Sequence, residues 1–389
     1  MNSLMPTYAR KDVSFVKGHG AWLWDDKNEK YLDALSGIAV CGLGHAHAAL
    51  ADTISRQANS LLHTSNLYRI PHQETLGDRL CEITGMEKVF FANSGAEANE
   101  AAIKLARLHG HARNIDTPTT IVFENSFHGR TMATLTATGN AAAHKGYDPL
   151  LPGFVRAPYN DIETVKALCS QHNNISAILV EPIQGEGGIN IPADNFLAQL
   201  RAVCDQYNLL LMVDEVQTGN GRTGKWFAFQ HSNILPDVLT TAKGLGNGMP
   251  IGACCVADKA LELFAPGSHG STFGGNPLAC AVALKVLEII EQQSLLAHVQ
   301  QMGEHICNQF KHQLGENPLV KEIRGQGLMI GIELNTPCPQ LVDLALEKKL
   351  LLNVTAGSVI RLLPPLIIDQ QQADMIVDIV CACINEMHD

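Results

Sequence analysis

Between residues 87 and 256, short apolar runs alternate with longer stretches in which apolar residues recur every three or four positions. The runs at 88–92, 120–123, 177–180, 209–213 and 252–256 predict strands. The stretches at 96–108 and 196–207 predict helices. Strands that are apolar throughout and alternate with helices predict a mostly parallel sheet covered on both faces. Ligands in such sheets lie beyond the C-terminal ends of the strands. After Pro277 the pattern changes to long helices at 279–292 and 296–314, with strands of a smaller sheet within 322–334 and 359–363. Near the start, 22–24 and 31–32 flank a turn at 26–28 and predict a hairpin that packs on the smaller unit. The expected division is an N-terminal segment over 1–45, a large domain over 46–275 and a small C-terminal domain over 276–389.

Composition narrows the function classes. The chain has 389 residues, 46% of them apolar and 17% charged, which is a globular balance and enough for two domains. A net charge of −11 argues against nucleic-acid binding, yet leaves room for a basic pocket inside an acidic protein. No apolar segment reaches the roughly 20 residues of a membrane span, and residues 1–17 hold no secretory h-region. Eleven scattered cysteines without CxxC spacing predict buried structural thiols in a reducing, cytoplasmic setting. His45 and His47 form an HxH without further ligand types nearby, so no metal site is expected.

The candidate chemistry follows the predicted strands. Ser94, Gly95, Ala96 and Glu97 open a helix after the 88–92 run, either as a plain capping box or as amides that cradle a phosphate. Phe127 and Arg130 follow the 120–123 run; the ring could stack on a heterocycle and the guanidinium could take a carboxylate, or the pair is a core ring and a surface charge. Asp214 and Glu215 end the 209–213 run, where they could serve a metal, a protonated ring nitrogen or a helix cap. Lys243 sits in the loop Ala242-Lys243-Gly244-Leu245-Gly246, as a solvated lysine or as a nucleophile of lowered pKa. Glu186 lies among glycines, and Arg361 stands in an apolar stretch; the arginine is either half of a buried ion pair or a substrate clamp.

Taken together these strings resemble the class III aminotransferases of pyridoxal-phosphate (PLP) fold type I. The resemblance rests on Ser94-Gly95-Ala96-Glu97-Ala98, Phe127-His128-Gly129-Arg130-Thr131, Asp214-Glu215-Val216-Gln217-Thr218-Gly219, Ala242-Lys243-Gly244 and Ser271-Thr272-Phe273-Gly274-Gly275-Asn276-Pro277. It covers nearly the whole chain, from Trp24-Asp25 to Arg361-Leu362-Leu363-Pro364-Pro365. Within the class, Phe91-Ala92-Asn93-Ser94, Gly37-Ile38-Ala39-Val40 and Asn353-Val354-Thr355-Ala356-Gly357 are similar to the bacterial acetylornithine group. Asn220 and Asn247 depart from the usual pattern.

The resemblance implies an α/β fold, with a large domain on a mostly parallel seven-stranded sheet and a smaller α+β domain. It implies pyridoxal 5'-phosphate held as a Schiff base on Lys243, which also carries the proton. Asp214 would pair with the ring nitrogen, Gln217 with the phenolic oxygen, and Phe127 would stack on the ring. Ser94, Gly95 and Ala96 would bind phosphate, with Glu215 and Val216 also against the cofactor. Thr272 would reach the partner subunit's cofactor in a homodimer with shared sites. Arg130 and Ser271 would hold the donor carboxylate, and Arg361, screened by Glu186, the carboxylate of 2-oxoglutarate. The implied reaction moves the δ-amino group of N2-acetyl-L-ornithine to 2-oxoglutarate. Succinylornithine, succinyl-diaminopimelate, ornithine or 4-aminobutyrate are alternative donors; an aminomutase and a PLP-binding protein without catalysis are further alternatives.

Overall fold

The structure is a computed structural model that describes residues 3–387. Its centre is a seven-stranded sheet in the order Lys88–Ala92, Gly252–Val256, Val238–Thr241, Leu210–Asp214, Ile175–Val180, Thr119–Phe123 and Phe154–Ala157. The last five pair in parallel, and Gly252–Val256 alone runs against both of its neighbours. The four middle strands, Gly252–Val256 to Ile175–Val180, are buried along their whole length, as uninterrupted Val, Ile, Leu and Cys runs require when helices cover both faces.

Two of the seven strands lie outside the sequence-based expectation. Val238–Thr241 is short and half threonine. Phe154–Ala157 is an edge strand, interrupted by Arg156. The observed Ile175–Val180 and Leu210–Asp214 also extend or shift the expected runs by one or two residues.

Side chains along a strand alternate between faces. Leu210, Met212, Ala177, Leu179 and Val238 pack with Ala101, Ala102 and Leu105 of the helix Gly95–Ala112. Leu211, Val213, Ile178 and Val180 pack on the opposite face with Leu197, Leu200 and Val203 of the helix Phe196–Tyr207. By the same alternation Asp214 and Thr240 share the face of Gly95–Ala112, and Glu181, one residue past its strand, takes that face too. Glu215, the residue after Asp214, falls on the other side.

Two smaller sheets complete the molecule. The hairpin Trp22–Asp25 with Lys30–Asp33 forms as expected, and its second strand pairs in parallel with Leu350–Leu351. The other sheet orders Val320–Gln326, Met329–Leu334, Val359–Leu362 and Asn353–Thr355, all antiparallel. The helices Pro277–Gln292 and Leu295–Leu314 extend the expected ones by one or two residues. Pro277 at the first turn and Asn276 as N-cap, accepting from the amide of Ala279, start the first of them. The core around Leu295–Leu314 joins Leu32, Ala34 and Leu43 with Leu350, Ile360, Leu362 and Ile376. His45 of the HxH is spent on Asp33, Nε2 to Oδ2 at 2.7 Å. All eleven cysteines are free, eight of them buried. Among the described residues no helix is long and apolar enough to cross a membrane.

The reversed strand touches the turn before the helix Gly95–Ala112: a Cβ on Gly252 would stand 2.4 Å from the Ser94 carbonyl oxygen. Gly252→Ala is expected to cost about 1–3 kcal/mol through overpacking against backbone. Urea unfolding midpoints of the two proteins measure it.

Candidate active site

At the C-terminal ends of the parallel strands lies a cavity of about 470 Å³. Ser94, Gly95, Ala96, Phe127, Arg130, Glu186, Asp214, Val216, Gln217 and Lys243 all line it. Ten residues singled out in the sequence, drawn from five separate segments, therefore share one wall.

At the helix N-terminus, Ser94 Oγ accepts from the Glu97 amide at 3.2 Å, and Glu97 Oε2 accepts from the Asn93 amide at 2.6 Å. The cap thus satisfies two amides and leaves those of Gly95 and Ala96 without partners among the described residues. Such amides, with the helix dipole behind them, attract an anion. Gly95 is needed for packing as well, since a Cβ there would lie 2.6 Å from Val216 Cγ1.

Asp214 is buried in the cavity wall. Its Oδ2 accepts from Asn99 Nδ2 at 2.7 Å and lies 2.8 Å from His128 Nδ1; its Oδ1 accepts from the Val216 amide at 3.0 Å. Asn99 in turn donates to the His128 carbonyl and accepts from Thr240 Oγ1 at 2.7 Å. Bonds to the carboxylate favour the His128 tautomer with its proton on Nδ1, and Nε2 of that ring is buried without a partner.

Lys243 follows Val238–Thr241 and has φ of +46°, a left-handed conformation that an L-residue adopts at a cost and that clusters at functional sites. Its neighbour Ala242 is held through its carbonyl by Asn220 Nδ2 at 3.2 Å. The ammonium of this half-buried residue makes no hydrogen bond or ion pair among the described residues. Loss of water around it lowers its pKa, with Arg361 pushing the same way and Glu186, Asp214 and Glu181 opposing.

Arg361 is fully buried beside the cavity. Its Nη1 donates to Glu186 Oε1 at 2.6 Å and to Gln217 Oε1 at 3.4 Å, its Nε donates to Asn353 Oδ1 at 3.1 Å, and its Nη2 is left without a partner. Arg130 is exposed, lies 5.6 Å from the centroid of the Phe127 ring and is paired with no carboxylate among the described residues.

Three predicted residues lie elsewhere. Glu215 faces away from the cavity: Oε1 accepts from the Phe229 amide at 2.7 Å and Oε2 from Thr218 Oγ1 at 2.5 Å. Ser271 and Thr272 line a separate depression with Phe273, His269 and Glu97, which shares Asn93 with the cavity. Asn99, Glu181 and Met249 were not anticipated, although all three line the cavity. Glu181 had a readable signal, because it follows its strand as Asp214 ends the next one. Asn99 lies four residues, one helical turn, beyond Gly95.

Comparison with known proteins decides what this arrangement belongs to. The family model for aminotransferase class-III matches residues 6–384. The chain belongs to the class-III aminotransferases. The chain is 57% identical to the acetylornithine aminotransferase of Nitrosomonas europaea over 99% of this chain and 98% of that one. The solved acetylornithine aminotransferase of Elizabethkingia anophelis superposes with a TM-score of 0.88 at 34% identity, covering 98% and 96% of the two chains. The ornithine aminotransferase of Toxoplasma gondii, with PLP in partial occupancy at its active site, superposes with a TM-score of 0.94 at 32% identity, covering 100% and 94%.

A class-III aminotransferase is a PLP-dependent transaminase that takes an amino donor and a keto acid. The cavity suits that cofactor: among the described residues it offers two free amides at a helix N-terminus for a phosphate, a buried carboxylate for a ring nitrogen, and an unpaired lysine.

Burial pushes Glu215 up to about 7, against bonds from Thr218 and the amides of Ala228 and Phe229 and with Asp214 adding to the rise. A carboxyl whose pKa is raised on folding stabilises most below its unfolded value of about 4.3, and that contribution is lost as pH climbs through about 7. Glu215→Gln is therefore expected to flatten the fall of Tm over this window, as thermal unfolding of both proteins from pH 5 to pH 8 would show.

Proposed function

We propose that this transaminase moves the δ-amino group of N2-acetyl-L-ornithine to 2-oxoglutarate, giving N-acetyl-L-glutamate 5-semialdehyde and L-glutamate, a step of arginine biosynthesis. The observation that carries it is the buried Arg361, paired with the partly exposed Glu186 and holding one free Nη2 beside the cavity. A cation that can be covered or uncovered lets one site take two carboxylate substrates in opposite senses. The acetylornithine aminotransferase of Nitrosomonas europaea, alike over nearly the full length, supports the choice of donor.

When bound, the cofactor supplies an aldehyde carbon that reacts with amines and a protonated ring that takes up electrons. Lys243 would hold it and afterwards carry a proton to and from the substrate carbon, a role that its lowered pKa favours. Asp214 would keep the ring nitrogen protonated, Gln217 would bond the phenolic oxygen, and Phe127 would cover one face. Ser94, Gly95 and Ala96 would bind the phosphate, with Val216 against the ring. Arg130 would take the donor's carboxylate while Glu186 screens Arg361; Glu186 would then turn aside so that Arg361 takes the keto acid. Acetylation suits this order, because it leaves the δ-amine as the donor's only nucleophilic nitrogen.

The chain would act as a cytoplasmic homodimer in which Thr272, exposed here, reaches the partner's cofactor phosphate and Ser271 sits near the donor carboxylate. A division into 1–45, 46–275 and 276–389 is supported by the separate core around Leu295–Leu314, although the helix Pro277–Gln292 contributes to that core and to the one around Leu76 and Phe227.

Lys243→Ala is expected to lower turnover by at least about 10²–10⁴-fold, the span of general acid–base catalysis alone. PLP should still bind that variant through the remaining contacts, as equilibrium dialysis would register. Steady-state rates with acetylornithine, succinylornithine, ornithine and 4-aminobutyrate test the donor: acetylornithine should give the largest kcat/KM with 2-oxoglutarate. A larger value for 4-aminobutyrate or ornithine would overturn the donor assignment and leave the transaminase chemistry standing.

A further inference from the structure

One carboxylate in the cavity wall has no role in the scheme above. Glu181 is 6% exposed and touches two loops at once. Its Oε1 accepts from the amide of Phe127 at 2.8 Å, and its Oε2 accepts from the amide of Gly185 at 3.2 Å. The first loop carries the ring-stacking Phe127 and Arg130. The second carries Glu186 and presses Gly185 against the Gln217 amide, so closely that a Cβ would stand 2.2 Å from Oε1.

We propose that Glu181 is a positioning residue for the cofactor: its ionised carboxylate fixes the Phe127 turn against the Gly185 turn and thereby sets the slot in which the PLP ring lies. The inference rests on the PLP-binding reading of the cavity. The two loops depend on Glu181 unequally. The Gly185 loop is also tied by Gln184 and Asn190, which exchange two backbone bonds of 3.1 Å, and by Arg324 to the carbonyls of Gly188 and Ile189. The Phe127 amide has Glu181 as its sole partner among the described residues. Loss of Glu181 therefore loosens the ring cover first and the Glu186 side second.

The tie is sensitive to pH. Loss of water raises Glu181 to about 7, with Asp214 adding to the rise and His128 opposing it. The charged and titratable groups around it are His128 on the Phe127 loop, Asp214 at the neighbouring strand end, Lys243 beyond the next strand and Tyr159, whose hydroxyl donates to the Glu181 carbonyl. An ionised carboxylate accepts at both oxygens. A protonated one carries a hydrogen on one of them, which makes that oxygen a poorer acceptor and weakens the tie to one of the two amides. The slot is held above about pH 7 and slackens below it.

The test is PLP affinity, read by absorbance titration of the apo-proteins at pH 6 and pH 8, for wild type, Glu181→Gln and Glu181→Asp, with Tm of each as a folding control. Glu181→Gln should bind PLP about ten- to a hundred-fold more weakly at pH 8, the loss of one bond to a charged acceptor. The pH difference in its affinity should be smaller than that of wild type, the titration of the cofactor phosphate being common to both. Glu181→Asp keeps the charge but is too short to span both loops, so it should bind weakly, with a pH difference smaller than that of wild type. The KM for 2-oxoglutarate should change less than PLP affinity. Wild-type affinity and pH difference in Glu181→Gln would overturn the inference. If that variant does not fold, wild-type affinity in Glu181→Asp would overturn it instead. Failure of wild type itself to bind PLP would sink the reading of the cavity, an outcome distinct from either.

Discussion

A carboxylate taken out of water must have its oxygens bonded or it destabilises the fold. Asp214, at the end of a fully buried strand, meets this demand with Asn99, His128 and the Val216 amide. Each of these bonds constrains a different element. The Asn99 bond sets the rotation of the helix Gly95–Ala112 on the sheet, and with it the place where the helix opens its N-terminus. The His128 contact fixes the turn that bears Phe127. The Val216 bond curls the chain back over the strand end, against Gly95. A sheet that merely packed well would leave these three segments free to shift by a rotamer or a turn. The buried acid does not allow it.

The charges around this point are arranged in opposition. Glu181 and Glu215 both sit where burial resists ionisation, and they lie on opposite faces of the sheet because strand alternation separates them. Two cations oppose them: Lys243, without a partner among the described residues, and Arg361, whose ion pair runs through a single nitrogen. The left-handed backbone at Lys243 is tolerated because Asn220 clamps the residue before it. Stability is given up locally, at the lysine and at the buried acids, and restored by the packed strands beneath them.

Much of this was readable from the sequence, and for definite reasons. Apolar runs buried on both faces look the same in any parallel sheet, so the strands near 177, 210 and 252 stood out. Val238–Thr241 did not, because two threonines dilute the pattern. The motif residues could be found because each follows a strand. What could not be read was parity: whether an acid after a strand turns toward the helix Gly95–Ala112 or away from it depends on where the strand ends within a residue. That is why Glu215 was grouped with Asp214, whereas Glu181, which shares Asp214's face, went unremarked. The pairing of Arg361 with Glu186 joins residues 175 positions apart; the family resemblance led us to expect it, and no local pattern would have. Ser271 and Thr272 line a depression of their own, which their place in the sequence does not record.

The loop that bears Glu186 has a kinetic consequence. Its backbone is fastened at Gly185 by Glu181, at Glu186 by the Thr355 hydroxyl, and at Gly188 and Ile189 by Arg324. If Glu186 screens and releases Arg361 during turnover, these ties hold the main chain, and the exchange reduces to rotation about the side-chain bonds of one glutamate. Such rotations take picoseconds to nanoseconds, whereas loop and lid motions extend to microseconds and beyond. The covered and uncovered arrangements of Arg361 would then differ by one broken ion pair and a side-chain rotation. Which substrate is held would be decided by relative binding free energy alone, without a slow opening step to limit it.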